Sequence, residues 1–168
     1  VRTFLRLIQV ASGRLEAEPI VGLLDVALVR TCFGIEAAEV GLLRDWTQRL
    51  GIRWGEDGEG RARLGLPAEQ STTWQAGFDR LILGAALGGA DTPAEVFGDV
   101  VPFDDIEGVG TELAGRFAVF ARRLFAFANA LQKPRGVSAW RDVMMGAMDD
   151  LLAPASEDEQ DAIGPRVE

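Results

Sequence analysis

One apolar stripe constrains the fold more than any other feature of this sequence. Its six large apolar residues are separated by 4, 3, 4, 3 and 4 positions, in the order Leu113, Phe117, Phe120, Leu124, Phe127 and Leu131. This spacing places all six on one face of an α-helix, whereas a strand would send alternate residues to opposite faces. The stripe therefore predicts a long core helix that Thr111 opens and Lys133-Pro134 closes.

Shorter apolar periodicities predict five further helices. Their expected positions are about 4–12 ahead of Gly13, from Glu18-Pro19 to Gly34, from Glu36 to Leu50, from the Ser71-Thr72-Thr73 cap to Gly88-Gly89, and from Ser138 onwards. Their expected core residues are Phe4, Leu5, Leu7, Ile8, Val10; Ile20, Leu23, Leu24, Leu28, Val29; Val40, Leu43, Trp46, Leu50; Trp74, Phe78, Leu81, Ile82, Ala85; and Trp140, Met144, Met148, Leu151, Leu152.

Two long segments lack helical periodicity. Residues 51–70 contain five glycines in twenty positions, a composition typical of turns and of close backbone approach. We expect residues 88–108 to form a second loop, pinned to the core by apolar side chains: Phe97, Val100, Val101 and Phe103. The sequence therefore predicts an all-α fold, an irregular bundle of about six helices with two long Gly-rich loops, in a single helical domain over 1–168.

Missing residue types exclude several kinds of chemistry. The chain has no His and one Cys, which excludes His-based zinc sites, Ser-His-Asp and Cys-His triads, and an internal disulfide. We interpret Cys32 as a small core residue in a reducing compartment. The one Lys, Lys133, precedes a Pro, so the chain contains no Walker A loop.

Charge and apolar run length bear on the partners. With 17 basic and 26 acidic residues the formal charge is −9, which argues against a dedicated nucleic-acid-binding domain. No apolar run approaches the roughly 18 residues of a membrane span, so we expect no membrane partner. The termini suggest a piece excised from a longer protein.

The best candidate site combines arginines with a tryptophan in the first Gly-rich loop. Arg53, Trp54, Arg61 and Arg63 could contact single-stranded DNA, because an indole can stack a base while a guanidinium meets a phosphate. Upstream, Arg44 and Arg49 extend the basic group along the third helix. The alternative is that these arginines face solvent and the tryptophan folds onto the core, and three nearby acids would repel DNA: Glu56, Asp57 and Glu59.

A second candidate is acidic. Asp104, Asp105 and Glu107 could hold a metal ion in an independent hydrolase, but no matching base or third carboxylate cluster accompanies them. Acids this close on a loop are typically solvated, or they interact favourably with the N-terminus of the next helix. We therefore predict no catalytic residue, no bound cofactor and no metal in this chain.

Several motifs, taken together, resemble the RecC family, the gamma subunit of exodeoxyribonuclease V. GIRWGED at 51–57 is similar to the family's GIRWGLD, and LGLP follows at 64–67. TWQAGFDRLILG at 73–84 resembles NTWRFGLDRLLLGYAM, with Thr at 72 in place of Asn. VPFDDIEG at 101–108 resembles LPYDEIEG, and CFGI at 32–35 resembles part of RRFGL. The motifs keep the family's order and similar spacing over nearly the whole chain.

The resemblance implies a cytoplasmic setting in double-strand break repair by homologous recombination. RecC-type subunits resemble superfamily 1 helicases without ATPase motifs, and RecB-like and RecD-like partners would carry ATP and Mg. The resemblance places this chain as the helical accessory subdomain of the second helicase-like domain. It implies a non-catalytic structural and DNA-channel module, and the alternative is a protein-interaction module that contacts the RecB-like or RecD-like subunit without touching DNA.

Overall fold

The computed structural model describes residues 1–87, 100–103 and 109–152, and these ranges form an all-α fold. They contain eight α-helices: α1 (Arg2–Ala11), α2 (Ala17–Val21), α3 (Ala27–Cys32), α4 (Val40–Arg49), α5 (Gly58–Arg63), α6 (Trp74–Leu87), α7 (Val109–Leu131) and α8 (Val137–Leu151). Two 3-10 segments, Gly22–Asp25 and Ala37–Glu39, precede α3 and α4. Within the described ranges no strand forms, and Val100 makes only an isolated β-bridge. The predicted all-α class is confirmed.

Helix α7 is the central element, as the apolar stripe predicts. It packs against α1, α6 and α8. Five of the six stripe residues are buried, and Leu131, in the last turn, is half-buried. Phe125 and Ala128 are buried as well, so α7 buries a wider face than the stripe alone indicates.

Aromatic rings join α7 to its neighbours. The Trp74 ring on α6 lies 5.9 Å from the ring centroids of both Phe117 and Phe125. Phe33, just after α3, meets Phe120 edge to face at 5.3 Å. Such offset and edge-to-face pairs add to the stabilisation that burial of the rings already provides.

The helix predicted between Glu18-Pro19 and Gly34 is wrong as a continuous element. It divides into α2, the 3-10 segment and α3, with Val26 in an extended conformation between the last two. The physical reason is angular: nine residues at about 100° each would place Val29 opposite Ile20 on a straight helix. The break turns Val29 back to the core, where both side chains are fully buried.

Two other predictions about local structure need correction. The segment 51–70 is not irregular throughout, because it contains α5, whose first turn Asp57 caps by accepting a hydrogen bond from the Gly60 amide at 2.6 Å. Helix α8 buries less of its predicted face than expected: Trp140 and Met144 are half-buried and Met148 is 40% exposed. Only Ala147 and Leu151 of α8 are fully buried.

The second predicted loop lies mostly outside the described residues, including Phe97. Of its expected anchors, Phe103 is buried and Val101 is exposed. Arg80 on α6 holds this piece of chain, because its Nε donates to the Val101 carbonyl at 3.1 Å and its carbonyl accepts from the Phe103 amide at 3.0 Å. The approach is close: a Cβ on Gly84 would lie 1.9 Å from the Phe103 carbonyl oxygen.

Candidate functional site between Gly51 and Thr73

The chain from Ile52 to Glu56 runs between two other backbone segments and is hydrogen-bonded to both. On one side, the amide of Ala17 donates to the Arg53 carbonyl at 2.8 Å, and the amide of Gly55 donates to the Arg14 carbonyl at 3.0 Å. On the other side, the Arg53 amide donates to the Thr72 carbonyl at 3.0 Å. These bonds fix the backbone that carries Arg53 and Trp54.

Arg61 is the most enclosed charged residue of the segment, with 4% of its surface exposed. Its Nη1 donates to the Glu69 carbonyl at 2.8 Å, and its Nη2 donates to the Trp54 carbonyl and to Thr72 Oγ1, each at 2.8 Å. We call this group, Arg61 with Trp54, Glu69 and Thr72, the Arg61 cluster. A planar guanidinium suits it because its several N–H groups point in fixed directions toward different acceptors.

The ring of Trp54 also belongs to the cluster. The Arg61 Cζ lies 4.2 Å from the Trp54 ring centroid, and the Arg14 Cζ lies 6.0 Å from it. A cation this close to an indole face is attracted by the ring electrons. Gly55 makes room for the guanidinium, since a Cβ there would come within 3.2 Å of Arg61 Nε, and its φ of +79° favours glycine.

The structure does not gather the four predicted DNA-contacting residues on one surface. Arg53 and Arg63 are exposed, Trp54 is half-buried, and Arg61 is buried with its guanidinium donating to protein acceptors. One face of the indole is covered by Arg61. Two arginines, Arg53 and Arg63, therefore remain available to a ligand from this segment.

Arg44 and Arg49, which extend the predicted basic group along α4, also make contacts with other residues of the chain. Arg44 forms ion pairs with Glu18 at 3.4 Å and Asp25 at 3.3 Å. Arg49 pairs with Asp45 at 3.6 Å, and its Cζ lies 5.0 Å from the Phe103 ring centroid. These contacts neutralise much of the positive charge along α4.

The neighbouring acids have structural partners too. Asp57 caps α5, and Glu56 Oε2 accepts a hydrogen bond from Asn129 Nδ2 on α7 at 2.9 Å. Glu59 is exposed. The Glu56 bond ties the segment to the central helix, so the segment is anchored at α7 as well as by its backbone.

Sequence reasoning missed several residues of the site. Thr72, which stands where the RecC motif has Asn, supplies a hydroxyl acceptor to Arg61. Leu64 and Leu66 point into solvent, although an apolar motif such as LGLP gives no sign of its exposure. The burial of Arg61 had no signal in the sequence, because helix α5, which carries it, has only six residues and lies in a segment without helical periodicity.

A separate groove lies between α3 and α7. It has a volume of about 610 Å³ and is lined by Cys32, Phe33, Glu112, Gly115, Arg116, Val119 and Arg123. Its two arginines already have partners within the domain: Arg116 pairs with Glu39 at 2.9 Å and donates to the Gly34 carbonyl, and Arg123 donates to the Asp150 carbonyl at 2.9 Å.

Cys32 lies at this groove rather than in the closed core, and it is half-buried. Burial raises the pKa of the Cys32 thiol, and the effect is opposed by Arg123 and reinforced by Asp150. A thiol with a raised pKa is a poor nucleophile at neutral pH. The direction of this shift therefore gives no support to a catalytic role for Cys32.

The described residues contain no group of three or more acidic, Cys or His side chains placed to hold a metal ion. The predicted carboxylates Asp104, Asp105 and Glu107 lie outside those residues. None of the helices in the described part of the chain combines the length and apolar character that a membrane crossing requires.

Comparison with known proteins gives a consistent result. The family described as "RecBCD enzyme subunit RecC fourth domain" matches residues 1–165. Similar proteins include the RecBCD enzyme subunit RecC of Mycolicibacterium smegmatis, 34% identical over 91% of this chain, and that of Escherichia coli, 30% identical over 95%. The RecC subunit of Mycobacterium tuberculosis is 33% identical over 88%.

These relatives are much longer than the present sequence. The chain spans 14% of the length of the M. smegmatis and E. coli proteins and 13% of the M. tuberculosis protein. The matched stretch covers the motifs at 51–57 and 73–84, and with them the buried Arg61 and its neighbours. The chain therefore belongs to the family of the fourth domain of the RecBCD enzyme subunit RecC.

Proposed function

We propose that this chain is a non-catalytic structural domain of a RecC-type subunit in a helicase-nuclease that repairs double-strand breaks by homologous recombination. It would be the helical accessory subdomain of the second helicase-like domain. Its task would be to hold a fixed surface against other protein parts of the complex, including the RecB-like and RecD-like subunits. ATP and Mg would be bound by those partners.

The observation that carries this proposal is the Arg61 cluster. A guanidinium that donates to Glu69, Trp54 and Thr72 within the domain is occupied with holding the segment in shape. The groove arginines and Arg44 are paired in the same way. Basic residues engaged within the domain, together with a net charge of −9, favour protein contact over nucleic-acid contact for most of the surface.

The test uses the full-length RecC-type subunit assembled with its partner subunits. Arg61→Ala should reduce the yield of assembled complex, while ATP turnover and DNA cleavage per assembled complex stay within twofold of the wild type. Arg122→Ala, which removes an exposed side chain on α7, should leave both the yield and the activities unchanged. Full assembly combined with a tenfold loss of ATP turnover in Arg61→Ala would contradict a structural role.

A second candidate function is contact with single-stranded DNA, which the exposure of Arg53 and Arg63 favours. Binding through two arginines beside Glu59 would be weak, sensitive to salt and without sequence preference. In the assembled complex, the double variant Arg53→Ala/Arg63→Ala should then lower the affinity for single strands and reduce the salt slope by up to about two. Arg141→Ala, which removes an exposed arginine on α8, is the control outside this segment. Equal affinities of the double variant and the control for single strands would exclude the contact.

A further inference from the structure

The loop that follows α5 places two leucines on the surface of the domain. Every residue from 62 to 71 is exposed, and we call this stretch the 62–71 loop. Leu64 is 61% exposed and Leu66 is 39% exposed, with Pro67 and Ala68 next to them. Clustered exposed apolar residues on one projecting loop are typical of an interaction site, whereas single scattered ones are ordinary.

This loop is exposed but is hydrogen-bonded within itself and to α5. Within it, the Gly65 amide donates to the Ala62 carbonyl at 2.9 Å, and the Leu66 amide donates to the Arg61 carbonyl at 3.2 Å. At its base, Arg61 Nη1 binds the Glu69 carbonyl, and the φ of Gly65 is +74°, a value that suits glycine. The entropy cost of ordering the loop is therefore met when the domain folds, and a partner gains apolar burial with little further ordering.

Close packing at the base of the loop reinforces this order. The Gly58 amide donates to Gln70 Oε1 at 2.7 Å, and a Cβ on Gly58 would lie 2.8 Å from the Ala68 carbonyl oxygen. The backbone of α5 at Gly58 therefore contacts both the Gln70 side chain and the Ala68 backbone at the far end of the loop. The Arg61 cluster therefore holds the base of the loop that carries Leu64 and Leu66.

Charge next to the leucines indicates what kind of surface they fit. Arg63 immediately precedes Leu64 and is exposed, and Arg53 is exposed in the segment that the Arg61 cluster joins to the loop. The acid of the loop, Glu69, lies three residues beyond Leu66, and its Oε1 accepts a hydrogen bond from Ser71 Oγ at 2.6 Å. An apolar pocket with acidic residues at its rim would complement both the leucines and the arginines. A polyphosphate backbone would match the arginines but would offer no apolar surface to the leucines.

The length of the relatives indicates where such a pocket lies. This chain spans only 13–14% of the RecC subunits to which it is similar, and its family is named as the fourth domain of that subunit. Other domains of the same polypeptide are therefore tethered to it, and tethering raises their effective concentration to the millimolar range. We propose that Leu64 and Leu66 dock the 62–71 loop into an acid-rimmed apolar pocket on another domain of the same RecC-type polypeptide, a proposal that rests on the structural role proposed above.

The experiment places a photo-cross-linking amino acid at position 64 in the full-length RecC-type subunit, purified without its partner subunits or DNA. Position 5 on α1 is the matched control, because Leu5 is 59% exposed and distant in sequence from the loop. Irradiation followed by peptide mapping should yield an intramolecular cross-link from position 64 to one defined segment outside these 168 residues. The control position should not react with that segment.

A second variant tests the apolar nature of the contact. With the probe at 64, Leu66→Asp should lower the yield of this cross-link at least fivefold, since a carboxylate in an apolar pocket loses its hydration. Leu66→Met, which keeps a similar volume and apolar character, should retain it. Both positions are exposed within the domain, so neither change threatens its folding.

Several results would overturn the docking proposal. They are the absence of an intramolecular cross-link, the same cross-links from positions 5 and 64, equal yields in Leu66→Asp and Leu66→Met, and cross-links that form only when DNA or a partner subunit is added. If the subunit still assembles and supports normal ATP turnover in those cases, the structural role of the domain stands and only the docking surface is wrong.

Discussion

Arg61→Ala is the substitution that most directly tests the account of the site. The guanidinium is buried and donates to three residues, so its removal leaves the Trp54 and Glu69 carbonyls, which are partly buried at these bonds, without their donors. Each buried acceptor left unpaired costs about 1–3 kcal/mol. The cation–π contact with Trp54 at 4.2 Å adds about 0.5–2 kcal/mol.

These terms are not additive, and removing Arg61 also relieves the cost of burying a charge. We therefore expect Arg61→Ala to lower the free energy of unfolding by about 3–5 kcal/mol, in the lower half of the range that the two unpaired carbonyls and the lost cation–π contact would give together. Arg61→Lys should recover little of this loss, because an ammonium cannot reproduce the directions of a guanidinium toward separate acceptors.

The measurement is urea unfolding of the wild type and the variants, followed by tryptophan fluorescence and by circular dichroism. With a slope of about 2 kcal/mol per molar urea, typical of small domains, the midpoint should fall by roughly 1.5–2.5 M. Arg63→Ala is the control on the same helix, and its exposed side chain predicts a change within about 0.5 kcal/mol. Equal midpoints for Arg61→Ala and Arg63→Ala would refute the structural role of Arg61.

Three further predictions concern the core, a close backbone contact and the thiol. Phe120→Ala should cost about 3–5 kcal/mol, because the ring is fully buried and packs on Phe33, and an unchanged melting temperature would contradict the central position of α7. Gly84→Ala should lower the melting temperature through the clash with the Phe103 carbonyl, whereas Gly115→Ala on α7, with open space around its Cβ, should raise it by removing a helical glycine; the opposite order would be inconsistent with the packing. Because burial raises the Cys32 pKa, iodoacetamide should alkylate the folded thiol more slowly at pH 8 than it alkylates a cysteine peptide, and alkylation as fast as the peptide would show that the thiol is not shielded. The contribution of this thiol to the free energy of unfolding should be fully present below its pKa in the unfolded chain and should be lost as the pH rises through its pKa in the folded protein.

Sequence periodicity alone determined the fold class and the central helix. The stripe from Leu113 to Leu131 predicts α7 because a repeat of 3.6 residues is a property of the chain itself and needs no knowledge of what the helix touches. The same reasoning explains why α4 has the expected buried face, with Val40, Leu43, Trp46 and Leu50 all in the core. The motifs and their order are likewise properties of the sequence alone, and they indicate the RecC family without any coordinates.

Only the tertiary structure decided how the remaining elements break and which side chains they expose. The division of the second predicted helix follows from the need to bury both Ile20 and Val29, a requirement set by neighbouring helices. On α8, Met148 remains 40% exposed because packing against α3 and α7 covers a narrower face than its apolar pattern offers. The apolar pattern of a helix shows which of its residues could be buried, but it does not show how much of that face the neighbouring helices cover.

The site shows the same limit most clearly. In the sequence, Arg53, Arg61 and Arg63 are equivalent arginines near one tryptophan. Their roles separate only when the chain between residues 54 and 72 closes on itself and carbonyls from 7, 8 and 11 residues away converge on a single guanidinium. Burial and hydrogen-bond partners depend on how this segment folds, so composition and spacing placed the arginines in one segment, and tertiary folding buried one of them and left two at the surface.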